Sequence, residues 1–152
     1  MVVKEAQSLQ IREASEKEDF LKCWELMQLL HPQLNQDRYL TLMLYMLDEG
    51  YKLLFIEKSG KVLSICGYRY TTHLIRGRCI CIDDLCTLPE EQGKGYARQL
   101  LQRVIEEAAA EEMQGLHLDL AHNRHDTIRF MMDKGFRITA HHLEAGLDRV
   151  RE

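Results

Sequence analysis

Ten residues in the second half of the chain, LPEEQGKGYA at positions 88–97, join a short acidic turn to a glycine-rich loop and a long helix. The first turn of a helix leaves four backbone N–H groups unpaired and carries partial positive charge. Glycines at that place let an anion approach the backbone. The segment therefore predicts a phosphate cradle at a helix N-terminus. The helix itself is marked by apolar residues at helical spacing: Ala97, Leu100, Leu101, Val104, Ile105 and Ala108.

The loop differs from two common phosphate-binding motifs. It lacks the Gly-x-x-x-x-Gly-Lys-Ser/Thr pattern of a P-loop, and Arg98 stands where the dinucleotide fingerprint needs a third glycine. The alternative is that Gly93 and Gly95 serve only the turn of the backbone. The residues on either side of the loop help to choose between these interpretations.

Upstream of the loop, the pattern predicts one strand, two helices and three further strands. Weak alternation over Ser8–Ala14 indicates the first strand. Apolar residues at helical spacing from Phe20 to Leu30 then indicate a helix, which Pro32 stops. Asn35 caps a second helix that ends at Gly50. Three β-prone runs come next, and they favour an antiparallel meander: 51–57, 62–70 and 78–88.

Downstream of the long helix, Gly115 leads into a strand over Leu116–Leu120. A short helix is predicted from about Arg124 to Asp133, and the tail from Phe136 to Leu147 predicts one or two more strands. The pattern therefore predicts an α+β or α/β fold, with a sheet of six to seven strands flanked by helices.

Composition and charge narrow the class of protein. The chain has 152 residues, 45% hydrophobic and 29% charged, which predicts a single domain over 1–152. Five cysteines are too few for a disulfide scaffold. The segment Met1–Glu5 runs into charged residues unlike a signal peptide, and no apolar run reaches the roughly 18 residues of a membrane span. A cytoplasmic protein without membrane attachment is expected.

The net charge is −4, and all the excess acid lies after Arg76. Binding to nucleic acid through phosphate neutralisation needs a basic face, so the sequence predicts no nucleic-acid partner.

Three ordered motifs resemble the GNAT superfamily of N-acetyltransferases. Gln92-x-x-Gly95-x-Ala97 is similar to its Gln/Arg-x-x-Gly-x-Gly/Ala signature, and Ile82–Glu90 resembles its fourth strand and the following turn. Asn123, followed by TIRFMMDKGF at 127–136, is similar to its second motif. The resemblance covers nearly the whole chain, and it implies a three-layer fold around a mixed, mostly antiparallel sheet.

The resemblance implies acetyl-coenzyme A as the acetyl donor and an N-acetyltransferase activity. Backbone groups of Leu85, Cys86 and Thr87 would bind the pantetheine arm, and an N–H of that strand would polarise the thioester carbonyl. Asn123 would contact the same arm, and Phe130 would flank coenzyme A. The pyrophosphate would be wrapped by Gln92, Gly93, Lys94, Gly95, Tyr96 and Ala97.

Transfer to an amine needs a proton acceptor, because a lysine-type amine has a pKa of about 10.4. Asp83 and Asp84 are the candidate catalytic carboxylates, with Asp84 preferred by its position in the family pattern. Strand alternation predicts that they point to opposite faces, so that only one reaches the substrate. The alternative is a carboxylate held in a salt bridge or in solvent.

Family members often place a tyrosine, as general acid, where this chain has Met131. A thioether cannot donate a proton. Releasing a thiolate of pKa about 8.5 at pH 7 costs roughly 2 kcal/mol, a rate penalty of about thirtyfold. Tyr96 and Cys86 are candidate donors in its place.

The remaining clusters of chemically active residues are weaker evidence for a functional site. Cys79-x-Cys81, Cys86 and His141-His142 lack matched metal-ligand spacing, so no metal site is predicted. In the family, the early helices often cover the acceptor site, which makes His31 and Arg38 candidates to line it.

Direct transfer in a ternary complex is expected, because no nucleophile with a paired base stands out. The rivals are a non-catalytic coenzyme A-binding module, suggested by Met131, and an interaction domain that keeps only the fold. The sequence does not identify the acceptor among small amines, amino acids, antibiotics, polyamines and protein amines. It does not identify the acyl group either, which is acetyl or a longer chain. A homodimer is common in the family.

Overall fold

The computed structural model describes residues 9–152. The charged segment Met1–Glu5 and Ser8, the first residue of the first predicted strand, lie outside the described residues. The chain contains two compact units, one that ends at Leu118 and one from Asp119 to Glu152. The single domain over 1–152 stays a prediction.

The first unit is built on a mixed sheet of five strands. They are β1 (Gln10–Glu13), β2 (Lys52–Lys58), β3 (Lys61–His73), β4 (Gly77–Thr87) and β5 (Gly115–Leu118). They lie side by side in that order; the first four are antiparallel, and β5 runs parallel to β4. The predicted mixed, mostly antiparallel sheet is confirmed, with five strands among the described residues instead of six to seven.

The missing strands are those predicted for the tail. Residues 136–146 form no strand, and a short 3-10 turn follows at Leu147–Arg149. Apolar side chains of this segment stay exposed, Ile138 at 75% and Leu143 at 90%. Alternation supplies an apolar face, but a strand also needs a neighbouring edge to pair with, and sequence alternation does not provide one.

The helices of the first unit are α1 (Lys17–Lys22), α2 (Trp24–Leu30), α3 (Gln36–Asp48) and α4 (Tyr96–Ala110). The first predicted helix is therefore two, with Cys23 between them. Asn35 caps α3 as predicted, since its side-chain oxygen accepts from the Arg38 N–H at 2.8 Å. The second unit contains α5 (His125–Asp133). No helix in the described part of the chain is long and apolar enough to cross a membrane.

Helices cover both faces of the sheet. Gly67 and Tyr68 are adjacent on β3, so they point to opposite faces of the sheet. Lys52 pairs with Tyr68 and Asp84 pairs with Gly67, so Lys52 and Asp84 mark the two faces. The Lys52 ammonium lies 3.2 Å from Glu107 of α4, so α4 covers the first face. On the second face, His31, the residue after α2, lies 2.7 Å from Asp84. The core between these layers includes the fully buried Phe55, Ile65, Ile80, Leu100 and Leu101.

Candidate functional site

The two candidate carboxylates lie at an irregularity in β4. Gly67 of β3 pairs with Asp84, but its neighbour Tyr68 pairs with Ile82. β4 thus holds one more residue than β3 at this point, and Asp83 is the extra one. Such a β-bulge bends the strand and re-aims its side chains.

Because of the bulge, Asp83 and Asp84 point to the same face of the sheet. Gly67 and Arg69 are two residues apart on β3 and share a face. Asp84 pairs with Gly67, and Asp83 Oδ2 lies 3.0 Å from Nε of Arg69. The expectation of opposite faces is therefore wrong, since strict alternation holds only in a regular strand.

Asp84 is enclosed, and each of its oxygens has a partner. Its side chain is 7% exposed. Oδ2 accepts a 2.6 Å hydrogen bond from the hydroxyl of Tyr51, and Oδ1 lies 2.7 Å from Nε2 of His31. The His31 side chain is 48% exposed. The three residues come from the end of α2, the residue before β2, and β4, and they form a path from the buried carboxylate to the surface.

Gly67 makes room for this cluster. A Cβ atom on Gly67 would overlap Oη and Cζ of Tyr51. No side chain larger than hydrogen fits there while the Tyr51 ring keeps its place. The glycine is therefore required for the close approach of the ring and not for a turn.

The hydroxyl of Tyr51 is the donor in its contact with Asp84. Burial, and then the charge of Asp84, raise the pKa of Tyr51 well above its usual value, so the phenol stays protonated and donates. An ionised carboxylate is acceptor only. Nε2 of His31 is the ring nitrogen that meets the other carboxylate oxygen, Oδ1.

Asp83 has a different environment. Burial raises the pKa of its carboxyl, an effect that Arg69 opposes and that the charge of Asp84 reinforces. Its side chain is 20% exposed, and Glu49 lies at 4.0 Å on the far side of the same guanidinium. Asp83 is thus held in a salt bridge, the alternative that the sequence left open, while Asp84 is held by a histidine and a tyrosine.

The glycine-rich loop has the backbone geometry of an anion cradle. Gly93 and Gly95 have φ of 80° and 86°, in the left-handed region that favours glycine. α4 begins at Tyr96, and its first backbone bond runs from the Gln99 N–H to the Gly95 carbonyl. The amides before Gln99 therefore face out of the helix N-terminus.

Positive side chains lie beside the cradle. The Lys94 ammonium is 2.7 Å from Glu91, and this partner raises the pKa of the lysine. The guanidinium of Arg98 lies 3.4 Å from where a Cβ of Gly95 would be. Of the other predicted loop residues, Gln92 is exposed, Ala97 is half-buried and Tyr96 is buried.

Leu85, Cys86 and Thr87 form the last part of β4, between the carboxylates and the loop. The pairing of β5 with β4 ends at Leu118 and Ile82, whereas β4 continues to Thr87. Ser64 of β3 anchors this end, with its hydroxyl 2.8 Å from that of Thr87.

Two predicted coenzyme A contacts belong to the second unit. Asn123 is exposed in the turn before α5, and Phe130 is a half-buried residue of that helix. The Lys134 ammonium lies 5.8 Å from the Phe130 ring centroid. Met131 is buried, with 2% of its surface exposed.

Among residues 9–152, no group of three or more His, Cys, Asp or Glu side chains converges as a metal site. None of the five cysteines, all within that range, forms a disulfide. Burial raises the pKa of Cys23 and of Cys66 to about 12, so both thiols stay protonated.

Sequence reasoning did not find the partners of Asp84. His31 was a candidate only as a residue lining the acceptor site, and Tyr51 only as the start of a strand. The glycine in the middle of an apolar run, at Gly67, was the available signal, because such a glycine indicates a bulge or a close approach. It did not say which side chain approaches.

A model of the acetyltransferase (GNAT) family matches residues 15–136 of the chain. None of the curated proteins matches the sequence. Among solved structures, the aminoglycoside N-acetyltransferase AAC(6')-Iy in complex with CoA is 15% identical, with a TM-score of 0.81 over 95% of this chain and 98% of that one.

Two further solved structures share the fold. An acetyltransferase of Trypanosoma brucei is 18% identical, with a TM-score of 0.74 over 92% of this chain and all of that one. Glucosamine-6-phosphate N-acetyltransferase of Arabidopsis thaliana is 16% identical, with a TM-score of 0.72 over 93% of this chain and all of that one.

Proposed function

Because the chain belongs to the acetyltransferase (GNAT) family, we propose that it transfers an acetyl group from acetyl-coenzyme A to a primary amine, directly and in a ternary complex. One observation carries the proposal. β4 holds the buried Asp84 with its histidine and tyrosine partners, and it leads within a few residues into an anion cradle at the start of α4. A single strand thus connects a place for a proton acceptor with a place for phosphates.

The residues of the loop fit the pyrophosphate of coenzyme A. A Cβ on Gly93 would meet no atom within 4 Å, so the space over this glycine is open to a ligand. The outward amides before Gln99 would donate to phosphate oxygens, and Lys94 and Arg98 would add positive charge. Acetyl-coenzyme A supplies the acetyl group as a thioester. We assign the pantetheine contacts to the backbone of Leu85–Thr87 and to Asn123, and the flanking contact to Phe130.

The amine must lose a proton before its nitrogen can attack. Asp84 is the carboxylate that we assign to this proton transfer, because it is linked to the surface through His31, whereas Asp83 is held by Arg69. Asp83 is kept as the second candidate. Asp83 lies on the same face, and its raised pKa makes it a stronger proton acceptor than an ordinary aspartate.

The experiment is a thiol-release assay with acetyl-coenzyme A and a panel of amines. The panel contains an aminoglycoside and glucosamine-6-phosphate, after the names of two structural neighbours, together with a polyamine, free amino acids and peptides with free N-termini or lysines. We expect release with at least one class, and a new amide by mass spectrometry. Release that does not depend on the amine would contradict the proposal, because it reports hydrolysis.

Met131 favours one alternative, a coenzyme A-binding module without catalysis, because a methionine cannot protonate the leaving thiolate. Thermal shift separates the possibilities. Stabilisation by acetyl-coenzyme A with no transfer to any amine identifies the binding module. No stabilisation by any coenzyme A species overturns both functions and leaves an interaction domain.

A further inference from the structure

Tyr51 is an enclosed tyrosine whose hydroxyl ends on the carboxylate of Asp84. It lies directly before β2, 3% of its surface is exposed, and its hydroxyl donates to Oδ2 of Asp84 over 2.6 Å. Most hydrogen bonds of buried side chains are made to the backbone or to water. The hydroxyl of Tyr51 instead meets the side chain to which we assign the proton transfer, 33 positions further along the chain.

We infer that Tyr51 is a positioning residue for acetyl transfer, which holds the Asp84 carboxylate in one orientation and stabilises its charged form. This inference rests on the proposed function. The terminal torsion of an aspartate side chain is loosely defined, so a carboxylate turns unless its oxygens are held. A hydrogen bond donated to a carboxylate is short and strong, and it favours the ionised form that can accept a proton.

The phenol of Tyr51 does not itself carry the proton. Burial, and then the charge of Asp84, raise the pKa of Tyr51 well above its usual value, so the hydrogen stays on the phenol oxygen. A carboxylate that is engaged by a donor still accepts a proton, because its two oxygens offer about four lone-pair sites. Tyr51 therefore acts through Asp84 and not on the substrate.

The step that Tyr51 serves is the proposed transfer at Asp84. The acceptor ammonium loses one proton to Asp84, and the freed nitrogen lone pair attacks the thioester carbonyl carbon. A carbon–nitrogen bond forms, and the carbon–sulfur bond breaks with its electron pair on sulfur. The remaining proton of the reacting nitrogen joins this thiolate, and Asp84 returns its proton to solvent.

The ring of Tyr51 is fixed by the strand beside it. A Cβ on Gly67 would overlap the phenol, so the ring lies directly against the backbone of β3. Asp84 pairs with this same glycine, next to the bulge at Asp83. A bulge re-aims the side chains of its own strand, so the direction of the carboxylate depends on contacts outside β4. Tyr51 supplies the enclosed one of these contacts, whereas the side chain of His31 is half exposed.

Other titratable or charged groups lie around Asp84, and they are the same in the wild type and in a variant of Tyr51. They are His31 after α2, Tyr39 of α3, Glu49 after α3, Cys66 and Arg69 of β3, and Asp83. Because Asp84 contacts His31, an acid limb in the pH profile belongs to the cluster and not to one residue. Loss of a donor makes protonation easier for the carboxylate and for its histidine neighbour alike, so the limb moves to higher pH in either case.

The first test is Tyr51→Phe, which keeps the ring and removes only the hydroxyl. With the best amine of the panel, we expect kcat/KM at neutral pH to fall by about tenfold. The acid limb should move up by about one pH unit, while the Kd of acetyl-coenzyme A stays within about twofold. Tyr68→Phe is the matched control, because Tyr68 is equally buried, lies on the opposite face of the sheet, and its phenol interacts with Glu107 of α4. This control should keep the wild-type rate and acid limb.

Two further variants test the same role from the other side of the contact. Gly67→Ala displaces the phenol and leaves every side chain of the cluster present, so it should move the acid limb in the same direction as Tyr51→Phe. Gly115→Ala, where a Cβ meets no atom within 4 Å, should leave the limb in place. In an Asp84→Asn background, Tyr51→Phe should cause no further loss of activity, because the carboxylate through which it acts is gone.

A readout without activity is the 13C NMR titration of the Asp84 carboxyl in the ligand-free protein, assigned by its absence in Asp84→Asn. We expect the midpoint to rise in Tyr51→Phe and to stay in Tyr68→Phe. If the wild type acetylates an amine and Tyr51→Phe keeps its rate and its acid limb, the role of Tyr51 is overturned and the proposed function stands. A loss of rate equal to that of Tyr68→Phe, with no movement of the limb, overturns the role as well. If the wild type transfers acetyl to no amine, the proposed function falls, and this role falls with it.

Discussion

Tyr51 donates its phenolic hydrogen to Oδ2 of Asp84 over 2.6 Å, inside the space that Gly67 leaves open on β3. A hydrogen bond from a neutral donor to a buried carboxylate is among the stronger kinds in proteins. It ties the residue before β2 to the bulge of β4, and it sets which oxygen of Asp84 faces His31. The stability of the sheet and the orientation of the candidate base therefore depend on the same bond.

Removing this hydroxyl should destabilise the protein. In Tyr51→Phe, Asp84 loses a donor and stays buried, so we expect the free energy of unfolding to fall by roughly 1.5–3 kcal/mol. Tyr39→Phe is the matched control, because the Tyr39 hydroxyl is also buried but donates to a neutral carbonyl, that of Phe20, at 2.8 Å. Its loss should be about 1 kcal/mol. Equal losses in urea unfolding would show that the charge of Asp84 adds nothing.

The contact between Gly67 and the Tyr51 ring predicts a coupled pair. Gly67→Ala forces the ring to move, and we expect a loss of about 1–3 kcal/mol or more. In a Tyr51→Ala background the same substitution should cost less, because the obstructing ring is gone. Gly115→Ala is the control, since a Cβ on that strand glycine meets nothing within 4 Å. Additive losses in the double-mutant cycle would exclude the steric explanation.

The cradle can be tested with two glycines of nearly equal geometry. Gly93 has φ of 80° and Gly60, in the β2–β3 turn, has 79°, and neither would place a Cβ within 4 Å of another atom. Alanine at either site should cost about 1–2 kcal/mol of stability from left-handed strain. Only Gly93→Ala should also weaken coenzyme A binding, by tenfold or more, in titration calorimetry. Equal Kd values for both variants would place the phosphates elsewhere.

The buried Met131 position predicts a gain of function. If the missing acid limits turnover, Met131→Tyr should exceed Met131→Phe in kcat, by up to about thirtyfold. Phenylalanine has the same ring without a donor, so it corrects for the strain of placing a larger side chain at a site that is 2% exposed. An unchanged or lower rate for the tyrosine variant, in protein that unfolds normally, would count against the missing-acid interpretation.

The pKa of Asp83 predicts how stability changes with pH. Burial raises its carboxyl pKa above the ordinary value, so in the interval between the two the folded state holds a proton that the unfolded state has lost. This contribution to the free energy of unfolding therefore falls as pH rises through that interval and is constant above it. Asp83→Asn removes this pH dependence. Relative to the wild type, the variant should therefore become more stable as pH rises through that interval. A constant difference in urea titrations would contradict the assigned direction.

Local pattern was enough for most of the fold. The spacing of apolar residues predicted α4, and Asn35 and Gly50 marked α3, because capping and amphipathic periodicity act within a few residues. The phosphate cradle was predicted for the same reason, since its glycines and helix N-terminus are contiguous in the chain. The tail strands were predicted wrongly, because a strand is completed by a partner that its own residues do not specify.

The cluster around Asp84, in contrast, depends on residues that are distant from one another in the chain. His31 lies 53 positions before Asp84, and Tyr51 lies 33 positions before it. No rule that acts between near neighbours in sequence brings them together. One inserted residue in β4 turned Asp84 to the face of Asp83, and one glycine on β3 admitted the phenol beside it. The sequence alone specified the two candidate carboxylates and the glycine-rich N-terminus of α4, because those depend on neighbours in the chain. Which carboxylate meets the histidine depended on strand register and on space between strands, and these exist only once the sheet has formed.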